Sequence, residues 1–152
     1  MKRREWLVAA ALSALGAACL RAGTAAGDAD ASLSFRELYK TQGVLGMELS
    51  DKTRSLAGRQ VQILGYMAPP LKPEVRFFVL TRAPVALCPF CNSDADWPSD
   101  IVVVYPREGV RFTQDGLPVA VTGNLEIGSK IDGATGFVSF VRVVDATVAP
   151  IK

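Results

Sequence analysis

Five segments beyond residue 58 have the apolar patterns that β-strands show. In each of them apolar positions either alternate with polar positions or form a continuous run. The segments are residues 59–65, 76–81, 100–105, 117–127 and 137–144. Glycine, proline and aspartate separate them, and no helical period lies between them. The pattern therefore predicts a mainly β protein with an antiparallel sheet or a small barrel.

Two of these segments share a detail that bears on the shape of the sheet. Val61-Gln-Ile-Leu-Gly65 and Val119-Ala-Val-Thr-Gly123 each place a glycine at the end of a β-branched alternation. A glycine inside a strand often marks a bulge or a tight bend where a sheet curls. We therefore expect the sheet to bend at both glycines.

Two short helices are predicted before the strands. Ser34-Phe-Arg-Glu37 has the form of a capping box, which predicts a helix through about Tyr39 or Lys40 that Gly43 and Gly46 end. Residues 50–57 have the composition of a second helical turn. Gly58 follows that turn, in the position where a left-handed cap is common.

The order of these segments resembles an OB-fold barrel over roughly residues 58–148. The resemblance is carried by Gly58–Tyr66, Phe77–Leu80, Ile101–Val104, Val119–Gly123 and a last strand that ends in Val144-Asp-Ala146. It implies a small five-stranded antiparallel OB-like barrel with one or two short N-terminal helices. A small β-sandwich is the alternative.

The beginning of the chain has the composition of an export signal. Lys2-Arg-Arg4 precedes an apolar run at residues 6–20 and a small-residue stretch at 21–27. The run is too short to span a bilayer comfortably, which favours a cleaved signal. The predicted organisation is a signal peptide at 1–26, a lead with short helices at 27–57 and the barrel domain at 58–152, in a periplasmic protein.

Two features of the signal leave its type open. Arg3-Arg-Glu-Trp-Leu7 resembles the twin-arginine export signal, which carries folded proteins, whereas an ordinary Sec signal is the alternative. Cys19 raises a third interpretation, a membrane-anchored lipoprotein with the lipid attached at that cysteine. Against it, Gly16 occupies the position three residues earlier, where bacterial lipoproteins usually have leucine.

The charge of the predicted mature protein is close to zero. The whole chain has 17 basic and 15 acidic residues. Removal of the signal takes away four basic residues and one acidic residue, so 13 and 14 remain and the net charge becomes −1. Without a basic excess or a run of lysine and arginine, the electrostatic footprint of nucleic-acid binding is missing.

The stretch Leu87-Cys-Pro-Phe-Cys-Asn-Ser-Asp-Ala-Asp-Trp97 contains the chemistry-bearing residues, in a chain without histidine. A Cys-x-x-Cys pair in an oxidising compartment can act as a catalytic dithiol. However, Pro98 stops any following helix early, and nearby carboxylates raise a thiol pKa. A disulfide between Cys88 and Cys91 is the second interpretation, and it would fix the connection between two strands while closing only a small loop.

A metal site is the third interpretation of the same pair. Cys-Pro-x-Cys is the turn of zinc knuckles, in which Cys88 and Cys91 would supply two of four ligands. The others would come from Asp94, Asp96 or Asp100, from a second chain or from water. Two thiolates alone suit a soft ion such as copper(I). The alternative for the aspartates is that they are solvated turn residues.

Three aromatic residues are candidates for a partner surface: Phe90 and Trp97 beside the thiols, and Tyr66 at the end of its strand. Aromatic residues that simply cap a barrel or finish a strand are the alternative. The sequence contains no nucleophile elbow, P-loop, dinucleotide fingerprint or c-type haem motif. No catalytic residue is predicted.

A closer resemblance is to an uncharacterised family of small exported bacterial proteins. It is carried by Gly65–Pro69, by Phe78–Leu80, by the cysteine loop and by Ile101–Val103. Some members accompany ABC-transporter genes and have been linked to metal uptake, but many have a single cysteine followed by a histidine. This chain has Cys88-Pro-Phe-Cys91 and no histidine, so a histidine-dependent metal role does not carry over.

These observations predict an exported, non-enzymatic accessory or binding protein of a cell-envelope transport system. Its Cys-x-x-Cys loop would face a soft metal ion, zinc or copper(I), or a partner. A thiol-disulfide redox protein and a structural module with a permanent disulfide are the alternatives.

Overall fold

The computed structural model describes residues 31–43, 46–69, 75–85, 99–107 and 116–151. These residues are mainly β. The strands are β1 (Ala31–Ser32), β2 (Tyr39–Gly43), β3 (Gly46–Leu49), β4 (Gln60–Met67), β5 (Phe78–Thr81), β6 (Ile101–Pro106), β7 (Pro118–Ile131) and β8 (Val138–Pro150). A 3₁₀ helix spans Phe35–Glu37, and helix α1 spans Asp51–Ser55.

Six strands form one mixed sheet in the order β1-β4-β5-β6-β8-β7, and β4 also pairs with β7. Because β4 pairs with both β5 and β7, these pairings form a closed ring of five strands in the order β4-β5-β6-β8-β7. The pairs β1–β4 and β6–β8 are parallel, and the other pairs of this sheet are antiparallel. Strands β2 and β3 form a separate antiparallel hairpin.

The predicted sheet of five antiparallel strands agrees with the structure in part and differs from it in two respects. The short strand β1 adds a sixth member along β4. In addition, five strands paired in a ring cannot alternate in direction all the way round, because an odd number leaves two neighbours pointing the same way. That pair is β6 and β8.

The principal core is formed by residues of these five strands and by buried residues between Leu33 and Leu56. Alternate residues of β4 and β7 point into it, among them Val61, Ile63, Val121 and Leu125, all fully buried. Strands β5 and β6 are buried on both faces, as their continuous apolar runs favour. Their second face packs in a smaller cluster, in which the Phe77 ring lies 5.3 Å from the Phe137 ring between centroids.

Both strand glycines allow neighbouring strands to approach closely. A Cβ at Gly123 would lie 2.7 Å from the Val144 carbonyl oxygen, and the register of β7 with β8 shifts between Thr122 and Asn124. The predicted bulge at Gly123 is thus present. At Gly65 a Cβ would lie 2.7 Å from the Thr81 carbonyl oxygen, at the point where β4 begins to pair with β5.

The first predicted helix is shorter than expected. Glu37 does reach back to Ser34, since its carboxylate accepts from the Ser34 N–H at 2.9 Å and from the Ser34 hydroxyl at 2.7 Å. However, the helix ends at Glu37 and Tyr39 begins β2. The Leu38 carbonyl accepts from the Ser50 N–H at 3.0 Å, and this bond ties the end of the turn to the start of α1.

The second predicted helix is confirmed. Its N-cap is Ser50, whose hydroxyl accepts from the Thr53 N–H at 3.1 Å. Gly58 follows with φ +78°, a conformation that favours glycine. The Gly58 N–H donates to the Leu125 carbonyl at 2.7 Å, so this turn is joined to β7.

Candidate binding groove at the rim between β4 and β5

Most of the sequence-predicted site residues lie outside the described residues. These are Cys88, Cys91, Asp94, Asp96, Phe90 and Trp97, together with Cys19 and the predicted signal at 1–26. Of the other candidates, the structure places Tyr66 at the end of β4 and Asp100 immediately before β6. It also places both ends of the connection that contains the cysteines, at Val85 and Ser99.

The connection begins and ends at neighbouring points of the rim. Strands β5 and β6 are antiparallel partners, with Thr81 opposite Ile101. Directly beyond this pair, the Arg82 N–H donates to the Asp100 carbonyl at 3.1 Å. Residues 83–99, which include the Cys-x-x-Cys pair, therefore join the sheet through a hydrogen-bonded base.

Tyr66 lies beside that base. It stands opposite Thr81 in the β4–β5 pairing and opposite Pro118 in the β4–β7 pairing. The Thr81 hydroxyl lies 3.2 Å from the Tyr66 carbonyl oxygen and 2.7 Å from that of Ala83. The predicted partner-surface residue Tyr66 is thus half-buried within the sheet, next to the start of the connection.

A groove opens along β4 next to this base. Its volume is about 490 Å³, and a smaller recess of about 90 Å³ shares three of its lining residues. The groove is lined by Ser34, Phe35, Arg36, Leu64, Arg82 and Ala83, and the recess adds Ser99 and Asp100. Apolar and charged side chains therefore meet at one place on the rim.

Sequence reasoning missed this groove, although one signal for it was present. The alternation in β4 directs Val61 and Ile63 inward, so Leu64 occupies an outward position between Gln62 and Tyr66. Leu64 is 52% exposed. A large apolar residue at an outward-facing position of a strand indicates either a contact surface or chance exposure. The arginines that line the same groove become apparent only from the fold.

The two arginines of the groove come from different elements. Arg36 lies in the 3₁₀ helix that follows β1, and Arg82 follows β5. In the described part of the chain, neither side chain makes an ion pair. Basic residues that do make ion pairs there include Lys52, Arg54, Arg107, Lys130 and Arg142. The groove thus offers two guanidinium groups, with the Asp100 carboxylate in the recess.

A second polar cluster lies between β6, β7 and β8, and its charges are satisfied internally. The nearly buried Arg142 donates to the Glu126 carboxylate at 2.7 Å and to the Gly128 carbonyl at 2.8 Å. The hydrogen bond from Arg142 lowers the pKa of Glu126. Burial and the nearby Asp132 carboxylate raise the pKa of Tyr105 to about 12. These contacts give the cluster a structural role in joining the three strands.

Two other properties of the described residues bear on function. They contain no group of three or more cysteine, aspartate and glutamate side chains placed to hold a metal ion. Among them, no helix has the length and apolar character needed to cross a bilayer.

The fold places this chain in the class of mainly β proteins built on a mixed six-stranded sheet. Comparison with known proteins adds a neighbour within that class. No family model matches the chain, and no curated protein matches it. The crystal structure of a DUF3299 family protein from Pseudomonas aeruginosa PAO1 is similar, with a TM-score of 0.50 and 16% sequence identity over 80% of this chain and 95% of that chain. At this identity the likeness shows a shared fold alone.

Proposed function

We propose that this protein is an exported, non-enzymatic binding module built on an OB-like barrel, an accessory component of a cell-envelope transport system. It binds at the rim where the Cys-Pro-Phe-Cys connection joins β5 and β6. The thiolates of Cys88 and Cys91 take a soft metal ion, zinc or copper(I), or engage a partner there.

The pairing of the strands supports the barrel. Five strands in the order β4-β5-β6-β8-β7, with β7 paired again to β4, form a ring of pairings around one core. The parallel pair β6–β8 and the bulge at Gly123 are consistent with a small closed sheet, in which bulges and glycines turn the corners.

One observation carries the choice of the rim as the binding edge. The base formed by Arg82 and Asp100 anchors the cysteine-containing connection beside a groove with two arginines and an exposed leucine. The polar cluster of Arg142 and Glu126 between β6, β7 and β8 is saturated by its own contacts. The rim that holds the connection therefore offers two arginines without an ion pair to a described residue, whereas that cluster offers none.

The thiol chemistry is tested by counting thiols and metal in the same sample. Protein recovered from the periplasm and reduced in the presence of zinc or copper(I) is examined by native mass spectrometry. We expect one metal ion per chain and two thiols that become alkylated after metal release. The double variant C88S/C91S should bind no metal, while D94N/D96N should retain copper(I) and lose zinc if carboxylates complete the zinc site.

Three results would contradict the metal proposal. An absence of metal in the reduced, metal-loaded protein would remove it. A permanent disulfide would leave no alkylatable thiol in the native protein, with partner binding unchanged in C88S/C91S. A redox enzyme would trap a mixed-disulfide partner when either cysteine alone is replaced by serine.

Export is tested separately, through the mass of the mature N-terminus. Cleavage near Ala26 is expected, whereas a mass increase from acyl chains on Cys19 would identify a lipoprotein. The variant R3K/R4K should block export if the twin-arginine route is used and leave it nearly unchanged if the Sec route is used.

A further inference from the structure

We infer that the groove along β4 binds an extended acidic segment of a partner protein. The segment would pair its backbone with Leu64 and place a carboxylate between Arg36 and Arg82. This goes beyond the proposed function, because it names the class of partner and uses no thiol or metal.

The backbone groups of successive β4 residues point alternately to the two edges of the strand. The Gln62 carbonyl accepts from the Leu33 N–H at 2.9 Å, and the Ala68 N–H donates to the Val79 carbonyl at 2.8 Å. Even-numbered residues of this stretch thus direct their backbone groups toward the edge shared by β1 and β5, because every second residue of a strand faces the same neighbour. Leu64 belongs to this set and faces the same edge.

Neither the chain after β1 nor the chain after β5 reaches Leu64. On one side, the Ser34 N–H is bonded to the Glu37 carboxylate and the Ser34 carbonyl accepts from the Glu37 N–H at 3.0 Å, so the chain turns away from β4. On the other side, the Ala83 carbonyl is held by the Thr81 hydroxyl at 2.7 Å. Leu64 stands opposite Ala120 of β7, but its backbone groups point to the other edge, where no hydrogen bond joins its N–H or C=O to β1, β5 or the adjoining described residues.

The open edge favours a peptide over other ligands. An unpaired strand edge is a template for one more extended segment, which gains main-chain hydrogen bonds and places alternate side chains in adjacent pockets. Two arginines are too few for a nucleic-acid phosphate backbone, and the predicted mature protein has a net charge of −1.

The charges of the groove specify the side chain. Guanidinium groups bind carboxylates through paired N–H donors, and Arg36 and Arg82 both line the groove without an ion pair to another described residue. Asp100 in the adjoining recess disfavours a run of acidic residues there, because like charges repel. The groove therefore suits one carboxylate beside an apolar residue that packs on Leu64.

The test uses the exported chain and its C88S/C91S variant, so that failure of the thiol proposal does not affect the outcome. The probe is a fluorescent, amidated peptide of alternating valine and threonine with one central glutamate, and its twin has glutamine instead. In fluorescence anisotropy we expect the glutamate peptide to bind about tenfold more tightly, since a hydrogen bond to a charged group is worth more than a neutral one.

Two variants and a backbone probe complete the design. R36Q/R82Q should abolish the preference for glutamate, while R76Q, which changes an exposed arginine before the other end of β5, should preserve it. N-methylation of the peptide should weaken binding to R36Q/R82Q and to the wild type alike. In hydrogen exchange followed by NMR, the Leu64 amide should exchange faster than the Ile63 amide and become protected only with peptide bound.

Several outcomes would overturn the inference. They are no saturable binding at millimolar peptide, an unchanged glutamate preference in R36Q/R82Q, or a Leu64 amide already protected in the free protein. Concentration-dependent self-association that R36Q/R82Q abolishes would identify a second copy as the occupant. Peptide binding seen only in D94N/D96N would identify the chain's own acidic stretch.

Discussion

Substitution of Gly65 by alanine tests whether β4 and β5 approach as closely as the fold requires. The new Cβ would lie 2.7 Å from the Thr81 carbonyl oxygen, 2.8 Å from Leu80 Cγ and 3.0 Å from Phe35 Cε2. Carbon contacts are most favourable at about 3.5–4.0 Å, so all three neighbours would have to move. The oxygen belongs to the backbone, and no rotamer change can relieve its contact.

The magnitude follows from two opposing effects. Overpacking of a well-packed interior costs about 1–3 kcal/mol. Replacing glycine by alanine inside a strand returns about 0.5–1 kcal/mol through backbone entropy. The free energy of unfolding should therefore fall by about 1–2 kcal/mol in G65A, because the side chain of Leu80 can yield but the Thr81 carbonyl cannot.

Urea denaturation followed by circular dichroism measures this change. The matched control is Gly133→Ala in the β7–β8 turn, where a Cβ would meet nothing within 4 Å. G133A should be neutral or slightly stabilising. If G65A lies within about 0.5 kcal/mol of the wild type, the usual range of surface substitutions, the close approach of β4 and β5 is refuted.

Three further predictions concern the charged contacts. The Glu37 pKa is lowered to about 2, chiefly by the hydrogen bond from Lys52. The stabilisation that the Glu37 carboxylate provides is therefore present above the unfolded-state pKa and is lost as pH falls from about 4.5 to 2. E37Q should flatten that part of the curve of stability against pH. R142M should lower the free energy of unfolding by about 2 kcal/mol. This loss is smaller than that from breaking a fully buried ion pair, because Glu126 is partly exposed to water. A double-mutant cycle with E126Q measures the coupling between the two side chains. Tyr105 should ionise near pH 12 in an ultraviolet titration, after the tyrosines of the unfolded protein, which titrate near pH 10.

The sequence predicted the strands of the ring well, because their apolar patterns report burial directly. Residues 100–105 correspond to β6 almost without change, and both strand glycines occur at close approaches. Strands β7 and β8 continue beyond the predicted limits, to Ile131 and Pro150. Their ends are largely exposed, so pairing with each other rather than burial determines their length.

The N-terminal strands could not be predicted from the same pattern. Residues 40–43 contain no large apolar residue, and Gly43 and Gly46 are typical of the end of a helix. In the fold these glycines stand opposite each other at the turn of the β2–β3 hairpin. Strand β1 has only two residues, and it exists because β4 has an edge on which they can pair.

The groove could not be predicted because its residues are joined only by the pairing of the strands. Arg36 belongs to a capping box and Arg82 to a turn, and neither position is unusual in the sequence. They lie in one groove because β1 and β5 flank the same edge of β4. Exposed charged residues have no periodic signal, so their convergence appears only after the register is known.

The capping interaction at Ser34 connects fold and groove. The ladder between β1 and β4 could extend to Leu64 only if the chain continued straight after Leu33. Glu37 prevents this, because its carboxylate holds the Ser34 N–H and hydroxyl. The 3₁₀ turn thereby keeps the Leu64 edge open and sets Arg36 on its wall. E37Q should consequently weaken binding of the glutamate peptide, although Glu37 does not line the groove. The control E48Q, which changes an exposed glutamate of β3, should leave the affinity unchanged. Equal affinities for the two variants would show that the cap at Ser34 does not affect the groove.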